Sequence, residues 1–404
     1  MMIQFSKKCT IAALAICTTA TTMNAQDTLS TKQLLGQLNT ITTAVPFLLI
    51  GPDSRSGGMG EVGAAVSPDA NSIHWGAAKL AFARQNAGIG ISYTPWLRQL
   101  VPDINLGYLS GYKKIDENQA LAVSLRYFSL GNITFTDIVG NVTGQFNPNE
   151  FAFDLAYARK LSEFFSGGLT LRYINSNLTG GIEVQGTQTR AGRTVAADLS
   201  GYYEKESEIF NKDGELAFGF AITNIGGKIS YSETGTKDFI PINLRLGGAA
   251  RIKLNEYNEI AWMLDFNKLL VPTPPVYGKD TNGVNYIISG KDPNRTVPAG
   301  IFGSFSDAPG GYREELKEIN IATGFEYWYD KQFAFRFGYF HEPATKGNRK
   351  FFTLGAGLKY NIFGLDFAYL IPTQQRHPLE NTLRFSLLFD LGAQKSSGGD
   401  NTGD

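Results

Sequence analysis

The sequence predicts an all-β chain, a transmembrane antiparallel β-barrel of about fourteen strands behind an N-terminal hatch. Three observations point there. From about Ala87 onward, apolar residues recur at every second position. The connections between these segments alternate between short turns and long loops. Charge is scarce, at 18% against roughly 25% in soluble domains, while glycine reaches 45 of 404 residues. Basic and acidic side chains balance at 37 each, which speaks against a nucleic-acid partner.

The first element is a leader. Lys7 and Lys8 precede the apolar run Ile11–Cys17, and small residues follow to Ala25. This is the pattern of a secretory signal peptide over residues 1–25, cleaved after Ala25. Ile16 stands where lipid attachment at Cys17 would want a small residue. Both cysteines, Cys9 and Cys17, lie in the leader, so the mature chain is expected to have no disulfide and no thiolate chemistry. The apolar run is too short to span a membrane as a helix, and no run of 18 apolar residues follows.

Residues 26–86 form the second element. Within them lie a Gly/Ser stretch over Arg55–Gly60 and small residues around Pro68, His74 and Trp75. Asn71 or Ser72 could cap a short helical turn. Ile73, Trp75 and Phe82 call for burial, which points to a plug folded into the barrel. The hatch candidates are Arg55, Gly57, Gly58, Met59, Gly60, Ser72 and Trp75. Gly58–Gly63 matches G-x-G-x-x-G literally, but a loop precedes it where a dinucleotide site needs a strand.

The barrel is read over 87–391. Leu121, Val123, Leu125 and Tyr127 alternate with Ala122, Ser124 and Arg126; Phe333, Phe335 and Phe337 alternate with Ala334, Arg336 and Gly338. Each strand therefore has one apolar face and one small or charged face. The segments lie near 87–94, 103–113, 119–130, 150–160, 165–175, 195–204, 215–224, 241–254, 258–267, 318–329, 333–341, 350–360, 362–371 and 381–391, close to the ~9–11 residues of a tilted membrane strand. Short connections such as Asn255–Tyr257, Asp330–Gln332 and Asn361 alternate with long ones at Gly131–Asn149, Asn175–Thr194, Ile225–Ile240 and Lys268–Lys317. That rhythm is the outer-membrane one, with both barrel ends on the periplasmic side. A soluble sandwich or propeller also alternates, but it would carry its charge on the face that meets water. Here charge shares a face with Gly, Ala and Ser. Aromatics near strand ends, in Tyr127-Phe128, Tyr327-Trp328-Tyr329, Tyr339-Phe340 and Tyr369, would form an interfacial girdle. Residues 392–404 read as a flexible tail.

The lumen charges are Arg126, Asp154, Arg172, Arg245, Asp265, Glu326, Arg336, Lys359, Asp366 and Arg384. They could form an ion-pair network filling a narrow interior or a selectivity surface; a selective pore more often shows one dominant sign. Gly167-Gly168 and Gly247-Gly248 could mark bulges or make room for a large neighbour. His74, His341 and His377 lack metal-ligand spacing, and no cofactor, metal or catalytic residue is legible; a Ser–His pair formed only in space stays open.

The hatch carries a resemblance. Gly51–Gly60, Ala64–Trp75 and Ala78–Ala81 resemble the N-terminal signature of the PorV family, outer-membrane barrels of the Bacteroidetes type IX secretion system, and more loosely the hatch of FadL-like transporters. Gly76-Ala77-Ala78 departs from the Asn-Pro-Ala that often follows the Trp in the family. The resemblance implies a shuttle rather than an enzyme. Such proteins bind secreted cargo by its C-terminal signal domain, take it from the translocon barrel and pass it to the sortase/attachment complex at the surface, among outer-membrane lipid and lipopolysaccharide. The largest loop, Lys268–Lys317, has six prolines and apolar residues that could hold cargo: Val276, Tyr277, Tyr286, Ile287, Ile288, Ile301, Phe302 and Phe305. The alternative is a FadL-like transporter of hydrophobic small molecules.

Overall fold

The computed structural model describes residues 38–98, 101–136, 139–181, 183–184, 187–233, 235–374 and 377–393. The leader, residues 26–37 of the hatch segment and residues 394–404 of the tail lie outside them. Among the described residues, fourteen antiparallel strands close into one barrel in chain order. They are β1 (Gln85–Pro95), β2 (Ile104–Lys114), β3 (Gln119–Leu130), β4 (Asn149–Lys160), β5 (Phe165–Asn177), β6 (Gly192–Ile209), β7 (Lys212–Gly226), β8 (Asn243–Lys253), β9 (Asn258–Leu269), β10 (Ile319–Tyr329), β11 (Phe333–His341), β12 (Lys350–Tyr360), β13 (Phe363–Pro372) and β14 (Leu383–Ala393). β1 pairs with β14, Ile91 facing Leu387, and the ring is complete without a free edge.

Facing follows from the period of two. On β5, Leu171 is 57% exposed while its neighbour Arg172 is 4%; on β11, Phe335 is 61% and Arg336 4%. The apolar face looks outward and the charged face inward. The girdle reading needs correcting here, because adjacent residues cannot both face lipid. Tyr127 points out, but Phe128 points in and stacks on Phe47 of the hatch. Likewise Phe340 points in and stacks on Phe351.

Strand connections sort by rim. One rim carries tight turns, such as Phe210-Asn211, where both residues have positive φ (52° and 57°), the conformation a two-residue hairpin turn demands. The other carries every long loop. The largest, between β9 and β10, contains a hairpin (Val276–Lys279 with Asn285–Ser289) and two short helices, Val297–Gly303 and Tyr312–Leu316. β6 and β14 run beyond the limits expected from sequence: β6 extends to Ile209, and β14 takes in Gly392 and Ala393, the first residues of the expected tail.

The hatch occupies the barrel interior. It consists of a 3-10 turn at Pro46–Leu49, two further helical turns over Ser54–Gly57 and Ser72–Trp75, and a 3-10 turn at Ala77–Phe82. The Ser72 turn forms without the expected cap. Asn71 makes no capping bond and instead accepts from Ser110 Oγ of β2 at 3.2 Å, while Ser72 Oγ accepts from Asp69 N–H at 2.9 Å.

Candidate functional site: hatch, lumen network and long-loop rim

The hatch is held by hydrogen bonds to opposite walls. Gly63 and Ala64 N–H donate to Asp265 Oδ2 on β9 (2.7 and 2.9 Å). Gly60 N–H donates to Thr353 Oγ1 on β12 (2.8 Å), and Ala78 N–H to Ser200 Oγ on β6 (3.0 Å). Arg126 on β3 donates to Leu48 O (2.8 Å) and to His74 Nδ1 (2.6 Å). Burial first, then the charges of Arg126 and Arg245, push the His74 imidazole well below its ordinary pKa, so the neutral ring accepts from Arg126.

Most of the lumen charges form paired networks that include the hatch. Glu326 accepts from Arg55 (2.9 and 2.8 Å) and from Arg336 (2.8 Å), and Arg336 reaches Asp366 at 2.6 Å. Arg172 bridges Asp154 (2.6 Å) and Asp198 (3.0 Å). Arg384 pairs with Glu61 of the hatch at 2.5 Å. Lys359 pairs with Asp390 near the short-turn rim, half-exposed. Ion pairs take in seven of the ten charges read as lumenal, while Arg126, Arg245 and Asp265 make none among the described residues and are held by hydrogen bonds instead. Sequence reasoning missed Asp198, Asp53 and Glu61. Asp198 shares the inward parity of Ala196 and Ser200, and that would have found it. Asp53 and Glu61 are isolated acids in a run of small residues. Asp53 Oδ1 accepts from Trp75 Nε1 at 2.6 Å, which fixes the buried indole.

Close backbone approach explains the wall glycines. A Cβ on Gly338 of β11 would stand 2.1 Å from Gly60 N and Met59 C. One on Gly168 would meet Ala78 N at 2.4 Å, and one on Gly247 would meet Asp265 Oδ1 at 2.0 Å and Ala64 Cβ at 2.8 Å. The bulge reading is corrected, because the ladder runs through both pairs without a break. The other reading holds for one glycine of each pair: a Cβ on Gly167 would meet Leu161 at 3.3 Å and one on Gly248 would meet Phe218 at 3.4 Å, while Gly168 and Gly247 leave room for the hatch and for Asp265. The register shift of the barrel wall falls elsewhere, between Ala197 and Leu199 of β6. Gly60 itself has φ +71°, a conformation that favours glycine. Gly58 packs on Gly355, Gly57 lies against Arg384, and Met59 is fully buried.

On the long-loop rim, Lys268 pairs with Glu315 (3.1 Å) and Glu318 (2.5 Å), and Lys346 with Glu314 (2.6 Å) and Glu318 (3.0 Å), tying the large loop to the barrel. Above this anchor the loop exposes apolar side chains. Tyr277, Tyr286, Ile288, Phe302 and Phe305 are each more than half exposed and Val276 nearly so, while Ile287 and Ile301 turn partly inward. The three histidines stand apart. His341 meets Tyr339, and His377 Nδ1 accepts from Leu379 N–H. Among the described residues no cluster of His, Cys, Asp and Glu has the geometry of a metal site.

The family model described as "Type IX secretion system protein PorV" matches residues 33–276, more than half of the chain. The chain belongs to the PorV family. It is accordingly an outer-membrane β-barrel of the type IX secretion system. No curated protein matches it. Solved structures with a similar barrel include the toluene transporter TodX of Pseudomonas putida (12% identity, 84% of this chain and 96% of that one, TM-score 0.46). Others are the toluene transporter TbuX of Ralstonia pickettii (12%, 85% and 98%, 0.45) and a Pseudomonas aeruginosa FadL homologue (11%, 87% and 99%, 0.41). The closed barrel rests on the strand register, not on these distant likenesses.

Proposed function

We propose that this PorV-family barrel is a non-catalytic shuttle. It holds exported cargo by the C-terminal signal domain at its long-loop rim, receives that cargo from the translocon barrel and hands it to the sortase/attachment complex. The observation that carries the reading is the apolar display of the large loop. Five aromatic or aliphatic side chains stand more than half exposed on a loop whose base is pinned by the Lys268 and Lys346 ion pairs. Exposed apolar anchors on a fixed support are what a protein interface uses. In this reading the long loops are extracellular and both barrel ends periplasmic. The rival, a conduit for hydrophobic small molecules, requires the hatch to leave a wall that holds it by ion pairs and hydrogen bonds on several sides.

The test is affinity purification from the native membrane with identification of co-eluting proteins. Wild type is compared with a variant in which Tyr277–Ile288 is replaced by a short Gly/Ser linker and Phe302 and Phe305 by Ser. The variant keeps the ion-pair base, so the barrel is expected to stay inserted and heat-modifiable while exported proteins are lost from the eluate. Undiminished capture of exported proteins would place the surface elsewhere.

A further inference from the structure

Between the hatch and the long-loop rim lies a cavity of about 410 Å³. Its floor includes Gly51, Glu61 and Trp75 of the hatch, and its walls come from the rim ends of β8 to β14. Four cations, Arg245, Lys346, Arg349 and Arg384, and three carboxylates, Glu61, Glu318 and Glu342, line it. Three of the four cations are held in ion pairs. Arg384 is paired with Glu61, Arg349 with Glu342 at 2.9 Å and Lys346 with Glu318 at 3.0 Å.

Arg245 has no carboxylate partner. It is 7% exposed, its Nε donates to Asn267 Oδ1 at 2.8 Å, and its guanidinium carbon lies 4.5 Å from the Trp75 ring centroid. Its Nη1 is buried with no hydrogen-bond partner in the protein. A buried guanidinium held by an amide at Nε and an indole at its face keeps its Nη1–Nη2 edge as a donor fork, the geometry that takes a carboxylate in two parallel bonds. With no ion pair of its own and a buried Nη1 left without a partner, Arg245 suits a single carboxylate.

We infer that this cavity receives the free C-terminal carboxylate of a peptide, with Arg245 as the group that binds it. The inference deepens the proposed capture of cargo and rests on it. The mixed walls suit a peptide. Leu49, Phe351 and Leu370 offer apolar contact to its side chains, while Thr40, Thr42, Thr43, Asn243 and Asn320 line the same cavity with hydroxyl and amide groups that a peptide backbone would satisfy and an acyl chain would leave unpaired.

The test uses the full chain in detergent and fluorescence anisotropy. The probe is an N-terminally labelled peptide of the last ten residues of an exported protein that co-purifies with wild type, synthesised as the free acid and as the C-terminal amide. Wild type is expected to bind the acid at least about tenfold more tightly than the amide. Arg245→Gln, checked as heat-modifiable, should bind both forms like the amide, and the wild-type comparison stands even if that variant misfolds. Equal binding of acid and amide, or no binding of either by protein that still captures whole cargo, overturns the inference while leaving the shuttle intact. Displacement of the acid peptide by monomeric oleate in an Arg245-dependent manner overturns it in favour of a lipid carboxylate. Failure of any exported protein to co-purify with wild type refutes the shuttle itself.

Discussion

Gly338 offers a sharp test of whether the hatch is fitted to the wall. A valine there suits a strand and leaves the ladder to β10 and β12 untouched, since Gly338 pairs with Gly324 and Thr353 through its backbone. Its Cβ, however, would stand 2.1 Å from Met59 C and Gly60 N. These are backbone atoms and cannot swing aside. Ordinary contact begins at 3.4 Å, so the hatch must retreat by 1.3 Å, the difference of the two distances. That retreat breaks the 2.8 Å bond from Gly60 N–H to Thr353 Oγ1. Overpacking of this kind costs about 1–3 kcal/mol and the lost hydrogen bond about 1 kcal/mol. The released hatch should then be populated about 30- to 1,000-fold more, and proteolysis tracks that population when opening is fast. The assay is limited trypsinolysis of detergent-solubilised protein read by mass spectrometry, with cleavage followed at Arg55 and Lys79, both buried in wild type. Gly107→Val is the control, because a Cβ there meets only Tyr127 O, at 4.0 Å. Cleavage at Arg55 and Lys79 should rise in Gly338→Val and not in Gly107→Val, with both barrels heat-modifiable. A folded Gly338→Val protein with an unchanged cleavage pattern would refute the fitted hatch.

Further outcomes are expected. Leu171→Arg places a cation on the lipid face in the middle of β5 and should lower barrel stability in lipid vesicles by about 2–4 kcal/mol; a loss below about 0.5 kcal/mol in urea titration contradicts the facing. Burial lowers the Lys79 pKa to about 8 from an ordinary 10.5. The released hatch therefore binds the proton more readily than the closed one, and the closed state gains stability as pH rises from 8 to 10.5, by at most about 3 kcal/mol. Proteinase K protection of the hatch should increase over that window and flatten in Lys79→Met, and protection that falls with pH in wild type reverses the assignment. Single cysteines at Gly283, which has open space around it, and at Lys331 in a short turn should differ in intact cells. An impermeant maleimide is expected to label the first, and labelling of the second alone inverts the topology.

The strand count, the inward and outward faces and the short–long rhythm of the connections were all legible in the sequence. Each depends on the period of two, a property of one strand at a time: Leu171 and Arg172 reveal their faces by adjacency alone. The family was legible in the hatch because its residues form one contiguous stretch. What the sequence could not decide is which lumen charge meets which. Arg55 and Glu326 lie 271 residues apart and Arg384 and Glu61 lie 323 apart, and their pairing follows from closure of the ring and the path of the hatch across it. The wall glycines were visible as interruptions, but their purpose was not, because the atoms they admit belong to a segment far away in the chain. Arg245 looked like any other inward arginine. Only the tertiary structure leaves it without an ion pair, since Asp265 on the neighbouring strand accepts from the backbone of Gly63 and Ala64 instead.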